Sequence, residues 1–279
     1  MLVFKSIQFL PIETLMKKTA HALTAALLLA ASLCTTAAHA AESDTLRYGV
    51  EAQYPPFESK AASGELQGLD IDVGNAVCAT AKMKCVWVET SFDGLIPALQ
   101  GRKFDAINSA MNATDQRRQA IDFTTVVYRV PTQLIAKTGS GLEPTPASLK
   151  GKNIGVLQGS IQESFAKAHW ANAGVNVVPY QDQNQAYTDL KAGRLDGTLV
   201  LSAAGQTGFL SKPDGAGYSF AGGPVSDDKI LGSGIAFGIR KGDDALKQRL
   251  NAAIAKLKAD GTIAKYAKKY LGDIDVSAK

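Results

Sequence analysis

Residues 85–107 read CVWVETSFDGLIPALQGRKFDAI. A strand-like run at Cys85–Val88 gives way to a helical stretch near Phe92–Gln100, and the chain returns to strand character at Phe104–Ile107. This is the rhythm of parallel β/α units. Working outward, Leu46–Val50 and a helix around Asp70–Ala81 precede it. A second series follows: Gln133–Lys137, Asn153–Leu157, a helix from Ser160, Val175–Pro179, a helix near Gln183–Ala192, and Leu195–Leu201. Two similar α/β lobes are implied, and Gly139–Pro146, rich in Gly, Pro and Ser, reads as an exposed loop at the start of the second. Near the end, Ile235–Ile239 reads as one more strand, and Asp244–Leu271 has apolar residues at helical spacing, punctuated by Gly261 and Gly272.

The 279 residues allow one or two domains, and 46% hydrophobic content sets aside fibrous and disordered classes. From Met16 the chain runs Met-Lys-Lys-Thr, then an apolar stretch Ala22–Leu33, then Ala38-His39-Ala40, the charged, apolar, small-residue order of a secretory signal. Cleavage is expected after Ala40, making residues 1–40 a signal peptide, and Met16 is a candidate natural start. A membrane anchor would need roughly 20 apolar residues, more than this run supplies. Cys34 follows Leu33 rather than a small residue, which argues against lipidation. A soluble, exported chain results.

Without residues 1–40 the formal charge drops from +4 to +2, too weak a balance to suggest a nucleic-acid partner. Cys78 and Cys85 remain, and an oxidising compartment favours their pairing as a local disulfide. The competing metal or redox reading lacks Cys-x-x-Cys spacing and a nearby histidine. No glycine-rich phosphate fingerprint or nucleophile elbow occurs, and the Leu157–Ser160 stretch lacks the lysine of a phosphate cradle. No metal or cofactor is expected.

Seven segments carry a more specific signal: Tyr54-Pro55-Pro56-Phe57-Glu58, Gly68-Leu69-Asp70-Ile71-Asp72, Phe92-Asp93-Gly94-Leu95-Ile96-Pro97-Ala98-Leu99, Asn112-Ala113-Thr114-Asp115-Gln116-Arg117, Leu149-Lys150-Gly151-Lys152, Val156-Leu157-Gln158-Gly159-Ser160 and Asp260-Gly261-Thr262. In this order and spacing the chain resembles the polar amino-acid-binding proteins of bacterial ABC importers, extracellular solute-binding protein family 3, especially the histidine and lysine/arginine/ornithine binding proteins. The resemblance implies a type II periplasmic-binding-protein fold whose chain crosses twice between lobes, near Arg129–Gln133 and near Lys229–Ser233. Residues 41–130 would form the first part of lobe 1, 131–230 lobe 2, and 231–279 the second part of lobe 1. It also implies a Cys78–Cys85 disulfide, a periplasmic monomer, an amino-acid-like ligand and a permease partner in the inner membrane.

The ligand site implied by the resemblance comprises Glu51, Tyr54, Phe92, Ser109, Ala110, Asn112, Arg117, Leu157, Ser160, Ile161, Gln162 and Leu201. Arg117 can fork two hydrogen bonds onto a carboxylate; its bland alternative is a surface arginine. Gly159 and Ser160 open a helix, where backbone N–H groups either face an anion or serve only as a cap. Tyr54 and Phe92 match positions that sandwich the ligand, with a core role as the alternative. Glu51 stands where the family carries an aspartate facing a distal cation; a solvated strand-end carboxylate is the equal alternative.

Three matched positions depart from the pattern: Ala110 replaces a serine, Ile161 a threonine and Leu201 an aspartate that pairs with the ligand's α-ammonium. A charge-assisted bond of that kind contributes roughly 1.5 to 3 kcal/mol. The departure favours an amino-acid derivative whose α-nitrogen is substituted, acidic in part, or missing, such as an opine or a guanidino acid. Compensation by Asn112 or Ser202, with ordinary arginine, ornithine or histidine as ligand, stands as the alternative. An enzyme of the cyclohexadienyl dehydratase type shares the fold, but His169 is the one histidine after residue 40 and lies outside every matched segment.

Overall fold

The computed structural model describes residues 44–272; the expected signal segment 1–40, with Met16 and Cys34, lies outside the described residues. Two five-stranded sheets organise the chain. The first holds β1 (Thr45–Val50), β5 (Lys84–Glu89), β6 (Ala106–Ile107), β7 (Asp122–Phe123) and β13 (Gly238–Ile239), in the order β5-β1-β6-β13-β7. The second holds β8 (Thr132–Lys137), β9 (Asn153–Leu157), β10 (Asn176–Tyr180), β11 (Gly197–Leu201) and β12 (Tyr218–Val225), in the order β10-β9-β11-β8-β12. In each sheet three strands run parallel before an antiparallel neighbour enters. A small sheet of β2 (Gln53–Tyr54), β3 (Glu58–Lys60) and β4 (Leu66–Gln67) folds over the end of β1.

Physical reasons for the elements are local. β9 and β11 are almost entirely buried apolar runs, as a parallel strand covered on both faces must be. Cys78, on the helix Leu69–Thr80, is joined to Cys85 on β5, so the turn that reverses the chain there is closed covalently. Gly68, at φ 135°, starts that helix where a Cβ would meet the Phe57 carbonyl at 2.1 Å, so only glycine lets the small sheet pack this closely. At the C-terminus the helices Asp244–Ala259 and Thr262–Leu271 break at Gly261, which takes a left-handed φ of 79°.

Two features differ from the sequence reading. The helix in the opening stretch begins at Leu95 rather than Phe92, because Ser91–Gly94 form a turn, with the Gly94 N–H on the Ser91 carbonyl. β12 lies in a segment whose Gly222-Gly223-Pro224 run speaks against a strand; it pairs with β8 along one edge, with an irregularity between Ala221 and Val225 that absorbs those residues.

The chain passes from the first sheet to the second between Phe123 and Thr132, and returns between Val225 and Gly238. Both passages are tied together: the Val127 N–H donates to the Ile235 carbonyl at 2.7 Å, and the Ile235 N–H to the Tyr128 carbonyl at 2.9 Å. Ile235 therefore pairs with the other crossover instead of extending β13. Cross-linking so short a loop stabilises modestly, and we expect reduction with dithiothreitol to lower the unfolding free energy by roughly 2 kcal/mol. Urea titration with and without reductant measures it; identical midpoints would mean that the Cys78–Cys85 bond contributes nothing to stability.

Candidate functional site

In open α/β sheets, ligands gather outside the carboxyl ends of the strands. Here those ends deliver Glu51 after β1, Phe92 after β5, Ser109 and Ala110 after β6, Ser160 after β9, Asp182 after β10 and Leu201 at the end of β11. Ten of the twelve residues expected from sequence surround one small cavity: Tyr54, Phe92, Ala110, Asn112, Arg117, Leu157, Ser160, Ile161, Gln162 and Leu201. They come from both lobes. The other two, Glu51 and Ser109, stand behind it: Ser109 Oγ accepts from the Glu51 N–H at 2.9 Å and donates to Glu58 Oε1 at 2.9 Å.

Arg117 is positioned by its own helix start. Thr114 caps the short helix Asp115–Arg118, its Oγ1 accepting the Arg117 N–H at 3.1 Å. The guanidinium lies 5.3 Å from the centroid of the Phe92 ring. Its Nη1 donates to the Asn112 carbonyl at 2.8 Å, and Nη2 crosses the gap to the Gly159 carbonyl at 3.0 Å. Burial pulls its pKa down to about 10, since both protein partners are neutral carbonyls.

Gly159 and Ser160 do not offer their N–H groups to the cavity. The Gly159 N–H donates to Glu163 Oε2 at 2.6 Å and the Ser160 N–H to the Leu157 carbonyl at 3.2 Å, while Ser160 Oγ caps Glu163 N. Glu163 thus reaches back in the manner of a capping box and consumes the donor. The first helical residues of Ile161–His169, Ile161 and Gln162, are the ones that bring the helix N-terminus to the cavity wall.

Two further bonds cross between the lobes. The Leu201 N–H donates to Tyr54 Oη at 3.3 Å, and Gln158 Nε2 donates to Asp93 Oδ2 at 3.0 Å. Tyr54 stacks on Phe57, and Phe57 on Tyr128, which fixes the wall that Tyr54 presents. Gln162 Nε2 bonds Thr132 Oγ1 at 3.1 Å, and Asn112 Nδ2 bonds the Leu231 carbonyl at 3.1 Å, so both amides are oriented by neighbours.

Beneath Ala110 lies a buried acidic group whose residues appear in the sequence motifs without a role assigned to them. Asp70 accepts the Ala110 N–H at 2.6 Å on one oxygen and the Tyr128 hydroxyl on the other. The first bond holds Ala110 at φ 43°, a strained backbone for a residue with a Cβ. Burial raises Asp70 to about 6 and Glu58 well above the usual carboxylate range. An aspartate in the first turn of an apolar helix, at Gly68-Leu69-Asp70, was the available sequence signal.

Glu51 is 3% exposed and neither of its carboxylate oxygens has a hydrogen-bond partner. Burial, and then the negative charge of Asp182, push it up to about 7. His169 is remote from this chemistry; its Nε2 pairs with Asp227 Oδ2 at 2.8 Å on the outer face.

Two lobes of this topology, with one cavity walled by both, define a two-lobed solute-binding fold. The chain belongs to the bacterial extracellular solute-binding proteins, family 3, whose model matches residues 46–273. It is 45% identical over 94% of its length to the histidine-binding periplasmic protein of Salmonella typhimurium, covering 99% of that relative. It is likewise 45% identical to the lysine/arginine/ornithine-binding periplasmic protein of Escherichia coli, over 91% of this chain and 97% of that one. Among solved structures, an arginine-specific periplasmic binding protein of Salmonella typhimurium superposes with a TM-score of 0.75 at 34% identity, covering 82% of this chain and 99% of that one.

Glu51 links folding to protons. With a folded value of about 7 against 4.5, the folded chain holds a proton through that window that the unfolded chain releases, so stability falls as pH rises through it. The expected result is that E51Q gains on the unaltered chain by on the order of 2 to 3 kcal/mol between pH 5 and pH 8. Chemical denaturation at several pH values checks this, and a pH-independent difference would contradict the assignment.

Proposed function

We propose that this chain is a periplasmic receptor that captures an amino-acid-like solute between its lobes and delivers it to an ABC permease of the inner membrane. Arg117 grips the solute's carboxylate, Tyr54 and Phe92 flank its body, and Glu51 faces a cation at its far end. The observation that carries this reading is a desolvated guanidinium at the junction of two lobes whose own partners are neutral carbonyls. A carboxylate there would receive a forked, charge-assisted pair of bonds. The names of the relatives support the amino-acid class.

The finer reading concerns the α-nitrogen. No carboxylate lines the cavity among the described residues; Leu201, 2% exposed, stands at the end of β11 with its backbone N–H already on Tyr54. Asn112, Ser160 and Gln162 offer only neutral acceptors. A free α-ammonium would lose a charge-assisted bond, whereas an absent α-nitrogen loses nothing and an N-carboxyalkyl nitrogen, though still protonated, carries a counter-carboxylate of its own. An opine or a guanidino acid is therefore favoured over unmodified arginine, ornithine or histidine, which the relatives' names favour.

Calorimetry separates these ligands. Octopine should bind more tightly than arginine, ornithine or histidine, and L201D should reverse that order by restoring the counter-charge. Arg117→Met should weaken every carboxylate ligand by more than a hundredfold, corresponding to about 3 kcal/mol. Nanomolar binding of an unmodified amino acid by the unaltered chain would remove the α-nitrogen reading and leave the receptor reading standing; full affinity in Arg117→Met would remove the carboxylate grip.

A further inference from the structure

Beside the candidate ligand cavity runs a wider cleft of about 680 Å³, open to solvent, with Glu51, Glu89 and Lys60 on one side and Asp182, Asn184 and Lys212 on the other. The two sides belong to different lobes. Lys60 is already paired with Glu89 at 2.8 Å, and Lys212 is an exposed residue at its rim. Glu51 is the member that stands out: it is buried, unpartnered at both oxygens, and part of the cleft wall.

Asp182 meets it from the second lobe. It follows β10 and caps the helix Gln183–Lys191, with Oδ1 accepting the Gln185 N–H at 3.0 Å and Oδ2 accepting from Gln185 Nε2 at 2.6 Å. Its carboxylate is thereby held in one orientation. Its charge is felt by Glu51 across the cleft. Two like charges brought together by the meeting of two lobes oppose that meeting unless a cation stands with them.

Resting on the receptor reading above, we propose that Asp182 is a specificity-determining residue, which with Glu51 forms a pair of carboxylates, one from each lobe, for the distal cation of the solute. A planar guanidinium suits this position, because its donors point in several directions at once and can serve acceptors on two sides. The pair also couples charge recognition to the approach of the lobes: the cation relieves a repulsion that exists only when both walls are present. Glu51 supplies the buried charge and Asp182 the opposing one.

The test compares solutes of one shape that differ in distal charge: arginine with citrulline, and octopine with N-(1-carboxyethyl)citrulline. Calorimetry on the unaltered protein, E51Q and D182N reads the guanidino-to-ureido affinity ratio within whichever pair binds. Asparagine caps helices as well as aspartate does, so D182N keeps the helix start while removing the charge and the exposed bond from Gln185 Nε2. The ratio should fall three- to tenfold in D182N and further in E51Q, and raising the salt concentration should shrink it in the unaltered protein. A D182N ratio equal to that of the unaltered protein overturns the proposal while leaving the receptor reading intact. Failure of all four solutes to bind the unaltered protein overturns both.

Discussion

A guanidinium taken out of water must be repaid by a group that prefers it charged, and the arrangement around Arg117 follows from that constraint. Neutral carbonyls from Asn112 and Gly159 hold it in place without cancelling its charge, and Phe92 shields one face. One of those carbonyls belongs to the opposite lobe. The positive charge is thus positioned by both halves of the molecule but, among the described residues, neutralised by neither, the arrangement that the proposed carboxylate grip uses.

The same logic runs with opposite sign at Glu51. There a negative group is buried with no donor, and the nearest compensation would be a cation lodged against both lobes. Between the two charges the walls are aromatic or aliphatic: Tyr54, Phe92, Leu157, Ile161 and Leu201. A solute that is anionic at one end and cationic at the other, with any further charge compensated within itself, matches this distribution. Ser109 ties the Glu51 backbone to the Glu58 carboxyl, so the floor behind Glu51 is itself hydrogen-bonded to an acid.

Much of the architecture was legible in the sequence because buried parallel strands announce themselves as uninterrupted apolar runs. Asn153–Leu157 agrees to the residue, and the helix predicted from Ser160 begins one residue later because Ser160 is its cap. β12 was not legible, since an edge strand tolerates glycine and proline that a central strand would not. At the site, residue identities could be read through motif spacing, and ten of twelve converge on one cavity. What sequence could not reveal is which groups are already spent. Glu163 takes the Gly159 N–H, and Tyr54 takes the Leu201 N–H, because these bonds link residues whose proximity is created by the fold.

The cysteine bridge sits at the start of β5, whereas recognition is assembled where β5 and its parallel neighbours finish. The remainder of that strand, residues 86–89, separates the covalent stitching from the candidate site. Thiol exchange at one extremity can therefore alter the lifetime of the folded molecule while the groups gathered at the other extremity keep their places.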